Sequence, residues 1–303
     1  MGELCILIPT FEKYRLVAEF TRTQIERHWP DHPLIFFCGL PGDAPALLPL
    51  RDHPADWMAL VRTAVADLQA RGFRQCYLVL DDHPPLDRCH GEHLNKTLPR
   101  FMDELGASFI NLQGWGQYRP RQGIDLGADY FHLEKPAREY LWKFALHPGL
   151  WNLQAFGEIL DLLLREPDLS ERTCWKFERR AGHADFPLPE HLRDTAYRVC
   201  GSAMSARPAR RLRAALRRIA LFAFDVVRFG IRLAGGQEAR DRFYARYLGL
   251  YHFYDGPYPL FWSGLMKKGR LNNDLVFFLR CHQRHAQLAE LRQALGPVTA
   301  ATA

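Results

Sequence analysis

Cys76-Tyr77-Leu78-Val79-Leu80-Asp81-Asp82-His83-Pro84-Pro85 decides the fold. Five consecutive apolar residues without polar alternation suit a strand covered on both faces. The run then stops on two carboxylates and a Pro pair. Upstream, Leu4-Cys5-Ile6-Leu7-Ile8-Pro9-Thr10 and Leu34-Ile35-Phe36-Phe37-Cys38-Gly39 have the same character. Between the first two runs, Tyr14, Val17, Phe20, Gln24 and Ile25 recur at helical spacing over residues 13–28. Between the second and third, Trp57, Leu60, Val61, Ala64, Val65 and Leu68 form one stripe over residues 56–70, closed by Gly72. The alternation β-α-β-α-β predicts a parallel sheet with right-handed crossovers, a Rossmann-like half.

Ligands of such sheets meet the carboxyl ends of the strands. Here those ends are Pro9-Thr10, Cys38-Gly39 and Asp81-Asp82. No G-x-G-x-x-G follows the first strand and no G-x-x-x-x-G-K-[ST] occurs, which excludes a dinucleotide fingerprint and a P-loop. Adjacent carboxylates repel each other unless a cation or sugar hydroxyls compensate them. Mg²⁺ and Mn²⁺ favour such oxygens and leave positions open for a diphosphate. The alternative is a solvated turn capping the next helix. His90 and His93 lie beyond the Pro pair and are expected at the surface rather than in a two-His metal site.

Further on, residues 93–104 read as a helix and Ser108-Phe109-Ile110-Asn111-Leu112 as a fourth strand. Residues 113–150 are irregular, 151–165 form a helix ended by Pro167, and the pattern is helical from 190 onward, with a final helix at 274–295. A chain of 303 residues with 48% hydrophobic and 24% charged residues is not disordered. The seven scattered cysteines form no C-x-x-C and read as reduced, mostly buried thiols. No signal peptide or spanning helix is expected.

The formal charge is +6, and it is localised. Residues 207–233 hold eight Arg against Asp225 alone, a local +7. Leu212, Leu216, Ile219, Ala223, Val226 and Val227 recur at three- and four-residue steps, so this is a cationic amphipathic helix. It suits an anionic membrane surface, or a packed helix with a solvated Arg face. Nucleic acid is not expected, because stacking aromatics do not interleave with the Arg as single-strand binders require. Tyr251, Phe253, Tyr254, Tyr258, Phe261 and Trp262 precede Lys267-Lys268-Gly269-Arg270. They either close over a diphosphate or sugar, or form a hydrophobic seam that docks the tail.

Several of these segments also recur together in a known order. An opening strand ends in Pro9-Thr10, and a helix begins Asp56-Trp57. A strand then ends in Asp81-Asp82, followed by His147-Pro148-Gly149-Leu150-Trp151-Asn152 and Trp175-Lys176-Phe177-Glu178. Over roughly residues 4–180 this order resembles bacterial GT-A-fold glycosyltransferases of surface-polysaccharide (capsule or lipopolysaccharide) biosynthesis. The resemblance implies an α/β GT-A fold, Rossmann-like with a mostly parallel central sheet, over residues 1–200. Residues 201–303 would then be a helical C-terminal extension.

The resemblance also implies roles. Asp81 would meet the ribose or sugar, and Asp82 the Mn²⁺ or Mg²⁺ on a nucleotide-diphosphate sugar. His83 would join the metal shell, although the family more often has an aromatic or acidic residue there. Pro9 and Thr10 would line the base. Trp57 would lie in the donor pocket, with Asp56 beside it, or in the core. Glu178 would be the base of an inverting transfer to a glycan or lipid-linked acceptor. Trp151 and Trp175 would stack on acceptor sugars, or be core residues. The expected location is cytoplasmic, with peripheral contact at the inner face of the cytoplasmic membrane. Two rival classes use the same residues: a metal-dependent phosphoesterase or nucleotidyltransferase built on Asp81 and Asp82, and a non-catalytic scaffold.

Overall fold

The computed structural model describes residues 3–42, 46–48, 56–114, 123–125, 132–136, 143–167, 169, 171–200, 241–245, 248–249, 252–254, 256–267 and 269–301. The three apolar runs form β1 (Leu4–Pro9), β2 (Leu34–Cys38) and β3 (Gln75–Leu78). They pair in parallel with β1 in the middle. Helix α1 (Arg15–His28) links β1 to β2, and α2 (Trp57–Ala70) links β2 to β3. Alternate residues of β1 serve two cores, as the strand period of two requires. Cys5 and Leu7 pack with Met58, Val61 and Val65 of α2 on one face. Ile6 and Ile8 pack with Ala18 and Ile25 of α1 on the other.

The chain therefore leaves β1 toward β2 on one side and returns to β3 on the other. The carboxyl ends of β1 and β3 flank a topological switch point, the crevice where open α/β sheets hold ligands.

Five more strands complete the sheet: β4 (Phe109–Gly114), β5 (Gly123–Asp125), β6 (His132–Glu134), β7 (Gly149–Asn152) and β8 (Ala196–Cys200). The order is β2-β1-β3-β7-β4-β8-β6-β5. Strand β7 is antiparallel to β3 and β4, and β6 is antiparallel to β8 and β5. All the other strands run in one direction, so the sheet is mixed and mostly parallel. With helices on both faces the class is α/β, consistent with the GT-A-like expectation.

Three local expectations are corrected. The helix expected at 151–165 starts at Leu153, as α4 (Leu153–Leu164), because Gly149–Asn152 is a strand wedged between β3 and β4. Asn152 ends that strand and caps the helix by accepting from Ala155 N–H (3.1 Å). The helical pattern from 190 fails at Ala196–Cys200, which pairs with β4 and β6 inside the sheet. The region 113–150 includes β5, β6 and part of β4 and β7. The helix at 93–104 is present as a π turn, His93–Thr97, followed by α3 (Leu98–Glu104).

Helix α4 turns Leu153, Phe156, Ile159, Leu160 and Leu163 fully inward. Each such side chain contributes about 1.5–3 kcal/mol. Helix α5 (Cys174–Ala181) packs beside it, capped by the Thr173 hydroxyl on Lys176 N–H (3.3 Å).

The C-terminal part is not helical throughout. Two short hairpins, β9 (Phe253–Tyr254) with β10 (Leu260–Phe261) and β11 (Met266–Lys267) with β12 (Arg270–Leu271), precede α6 (Asn273–Cys281) and α7 (His285–Ala301). Leu275, Phe278, Leu291 and Leu295 of these helices bury Val17 and Phe20 of α1. The basic segment 207–233 lies outside the described residues. Among the described residues, no helix is long and apolar enough to cross a membrane. Cys5, Cys38, Cys76 and Cys89 are buried free thiols.

Candidate active site

At the β1–β3 switch point lies a cavity of about 710 Å³. Its floor follows from the sheet. Val79 N–H reaches the Leu7 carbonyl (3.0 Å), so the two strands end side by side. This brings Thr10 to Asp81, and the Thr10 hydroxyl donates to Asp81 Oδ2 at 2.7 Å. The Thr21 hydroxyl of α1 donates to the Asp81 carbonyl at 2.5 Å. Burial, then the charge of Asp82, pushes the Asp81 carboxyl up to about 7, and the Thr10 hydrogen bond opposes them.

His83 is buried beside this pair. Its Nδ1 lies 2.7 Å from Asp82 Oδ1, and its Nε2 lies 3.1 Å from the Trp262 carbonyl oxygen. Both neighbours are acceptors, so the site suits an imidazolium donating from both nitrogens. Burial pulls the imidazole down, but the Asp82 charge and hydrogen bond, helped by the Trp262 carbonyl, outweigh it and hold it above its ordinary value. His147 has its ring centroid 5.4 Å from that of His83, and burial, with the charge of His83, pushes it down to about 3.

Glu178 enters the cavity from α5. Leu146 N–H donates to its Oε1 at 2.5 Å, leaving Oε2 for a ligand. Burial pushes its carboxyl up to about 6 against that hydrogen bond. Cys174, one helical turn earlier, also lines the cavity, and burial pushes its thiol up to about 12.

Of the residues singled out in the sequence, Pro9, Thr10, Trp57, Asp81, Asp82, His83, Trp175 and Glu178 line this one cavity. Trp151 does not. It is 0% exposed, and its indole stacks on Phe156 (4.2 Å between centroids) and leans on Phe109 (4.2 Å). Strand β7 carries it into the core between α4 and α5, where no acceptor reaches it. Asp56 is likewise used structurally, as the cap of α2 and the partner of Arg172 (3.1 Å). His90 and His93 stack on each other (6.1 Å) away from the cavity.

The remaining wall comes from residues 262–269, which supply Trp262, Ser263, Met266, Lys267 and Gly269. Leu265 N–H donates to the Asp82 carbonyl (2.7 Å), and the Tyr258 hydroxyl donates to the His83 carbonyl (3.1 Å). Gly264, at φ 71°, lies so close to Asp82 that a Cβ would sit 2.4 Å from its Oδ2. Trp262 is 40% exposed and stacks on His147 (5.7 Å, 20°). The tail aromatics thus divide between the two roles open in the sequence. Tyr258 and Phe261 are buried and dock the tail, while Trp262 faces the cavity. His147, Phe11 and Tyr14 line it too; His147 opens the motif that ends in Asn152 and Tyr14 lies on the first helical stripe, but neither pattern gives a site role.

The donor set limits how a metal is held. His83 has both nitrogens engaged by the protein, so it is not available as the ligand the resemblance implies. Among the described residues, no side chain hydrogen-bonds Asp82 Oδ2 or Asp81 Oδ1. Two carboxylate oxygens fit an ion that arrives on a diphosphate, as Mg²⁺ commonly does, rather than one caged by the protein. Among the described residues, no group of three or more His, Cys, Asp or Glu is placed to hold a metal.

A second groove of about 370 Å³ lies between α2 and α4 around the Arg62–Asp161 ion pair (2.7 Å). Its lining holds no His, Cys or aromatic side chain.

No protein-family model matches the chain, and no curated protein matches it. Among solved structures, it is similar to a glycosyltransferase involved in the glycosylation of the major capsid of PBCV-1. That likeness has 12% sequence identity and a TM-score of 0.31, over 68% of this chain and 97% of the other.

Proposed function

We propose that the protein is a glycosyltransferase that moves a sugar from a nucleotide-diphosphate donor to a glycan or lipid-linked acceptor in cell-surface polysaccharide synthesis. One observation carries this: three elements distant in sequence deliver Thr10, the Asp81-Asp82 pair and Glu178 to one cavity at the switch point. A strand-end acidic pair suits the cation of a donor diphosphate, and a separate buried carboxylate suits proton abstraction from an acceptor. Trp57, Trp175 and Trp262 add apolar faces for sugar or base rings.

Glu178 serves as the base of an inverting displacement. The acceptor hydroxyl oxygen attacks the anomeric carbon while its proton passes to Glu178. The bond from that carbon to the diphosphate oxygen breaks, and the diphosphate leaves with the electron pair. Burial suits Glu178 to this task, because a base near 6 is ionised at neutral pH yet still holds a proton well. Thr10 orients Asp81 toward the donor, and His83 fixes the rotamer of Asp82. Asp82 Oδ2 and Asp81 Oδ1 are the atoms that would hold Mn²⁺ or Mg²⁺ on the diphosphate, where such an ion neutralises the charge developing on the leaving group.

Calorimetric titration with UDP- and GDP-sugars in Mn²⁺, with a CMP-sugar as the monophosphate comparison, tests this function. Saturable binding of a diphosphate sugar that Asp82→Ala removes is the expected result. Absence of binding across the panel would sink it.

A further inference from the structure

Charge is out of balance in the cavity. Asp81, Asp82 and Glu178 line it, and the donor proposed for it brings a diphosphate of the same sign. His83 is spent on Asp82 and the Trp262 carbonyl. Among the described lining residues, Lys267 is the one Lys or Arg. It stands on β11, at the tip of a hairpin that reaches the cavity from the far end of the chain.

The position of that hairpin is fixed relative to the acidic pair. Leu265, two residues before Lys267, hydrogen-bonds the Asp82 carbonyl. Gly264 packs its Cα against the Asp82 carboxylate. Asn272 is fully buried beneath the turn and donates to the Ser263 carbonyl (3.2 Å), Ser263 Oγ (2.9 Å) and the Gly264 carbonyl (2.9 Å). Asn272 N–H closes the loop on the Leu265 carbonyl (2.7 Å). The base of the hairpin is thus rigid, while the ammonium at its tip is not tightly held. Lys267 Nζ makes one loose ion pair, 3.6 Å from Asp274 Oδ2 and beyond a direct hydrogen bond, while Asp274 Oδ1 accepts from the Tyr244 hydroxyl (2.6 Å). A flexible stem on a fixed base places a point charge that can follow a phosphate.

We propose that Lys267 binds the donor diphosphate, so that the C-terminal extension completes the donor site. This role presupposes the nucleotide-sugar donor proposed for the cavity. It identifies the distal phosphate as the group recognised by the tail, whereas base and ribose belong to the sheet edge. It also gives the tail a function in catalysis, since the same ammonium stabilises the diphosphate as it departs.

A ligand comparison isolates that phosphate. The probes are UDP and UMP, and GDP and GMP, titrated into the full chain in Mn²⁺ and again in EDTA. The wild type is expected to prefer the diphosphate of at least one pair. Lys267→Ala is expected to lower diphosphate affinity about tenfold while leaving the monophosphate unchanged, so the preference collapses. Lys267→Arg should keep most of it. Arg270→Ala, at the register partner of Lys267 but outside the cavity lining, should change neither affinity. Equal weakening of both ligands by Lys267→Ala, or no weakening, overturns the role of Lys267 and leaves the transferase function standing. If none of the four nucleotides binds the wild type, the donor assignment falls and this role falls with it.

Discussion

The two walls of the cavity are built on different physical terms. The sheet wall comprises Pro9-Thr10, Asp81-Asp82 and, from α5, Glu178, each at the end or on the flank of a regular element packed in the main core. The tail wall comprises residues 262–267 and Gly269, a two-residue strand and turns held by side-chain and backbone bonds to the sheet wall itself. The first wall holds the Asp81 and Glu178 carboxyls, whose proton affinities burial has raised. The second offers an indole, a glycine contact and an ammonium. Under the proposed function the first wall would hold the donor and carry the base, and the second would add the diphosphate contact. Substitutions should separate the walls by the quantity they change.

The largest effect belongs to Glu178. Glu178→Gln keeps the oxygen that accepts from Leu146 N–H and removes the base. Its kcat should fall by about 10²–10⁴, with nucleotide affinity unchanged. In the wild type, activity should rise with pH through about 6 as Glu178 ionises. That limb should be missing from the residual activity of the variant. A Gln variant as active as wild type would remove Glu178 from the mechanism.

Asp81 tests the same wall through stability. Its folded carboxyl is raised to about 7, above the ordinary 3.8. A raised carboxyl contributes stability that is complete below the unfolded value and lost as pH climbs through the folded one. The wild type should therefore lose stability between pH 4 and pH 8 on this account. Asp81→Asn, which still accepts from Thr10, should be no less stable at pH 4 and more stable at pH 8, by up to about 4 kcal/mol. Denaturant melts at the two pH values measure this. A difference that does not grow with pH would mean that Asp81 is not desolvated.

The contrast between the walls also explains what could be read from the sequence. β1, β2 and β3 are continuous apolar runs, and such runs are legible without tertiary knowledge. Because the ligand edge of an α/β sheet follows from topology, Thr10, Asp81 and Asp82 were legible with them. β7 was not, since four residues, Gly149-Leu150-Trp151-Asn152, carry too little periodicity to tell a strand from a helix start. Of the two readings open for Trp151, strand pairing with both β3 and β4 selects the core. Trp175 is 69% exposed and precedes Glu178 by three residues on α5, so the helix places both on the cavity side. The tail wall had composition but no address. Aromatics beside Lys267 were visible, yet their position depends on Leu265 and Tyr258 bonding to residues about 180 positions earlier. No local pattern encodes such a contact.

Gly264 probes the seam between the walls. At φ 71° a non-glycine residue is strained, and its Cβ would collide with Asp82 Oδ2. Gly264→Ala should cost about 1–3 kcal/mol and weaken diphosphate binding as well, since Asp82 must shift or the tail must lift. Stability loss with unchanged binding would show that the tail can move without disturbing the acidic pair.

Trp262 should give the smallest effect, and the most specific one. Its carbonyl, not its indole, meets His83, so Trp262→Ala leaves the backbone contact in place. The indole is partly exposed, stacks on His147, which burial keeps neutral, and meets His252 edge-on (5.6 Å). Removing it takes an apolar face from the cavity but no charge. An aromatic contact of this kind is worth about 0.5–1.5 kcal/mol, so KM for one substrate should rise about two- to tenfold with kcat nearly constant. If the tail wall serves the acceptor as well as the diphosphate, that substrate is the acceptor, and donor affinity by titration is unchanged. If instead donor affinity falls by the same factor, the indole belongs to the donor's sugar, and the acceptor is left to Trp175 across the cavity. A drop in kcat equal to that of Glu178→Gln would erase the distinction between the walls, because an exposed indole would then be acting on the reacting atoms rather than on the ring beside them.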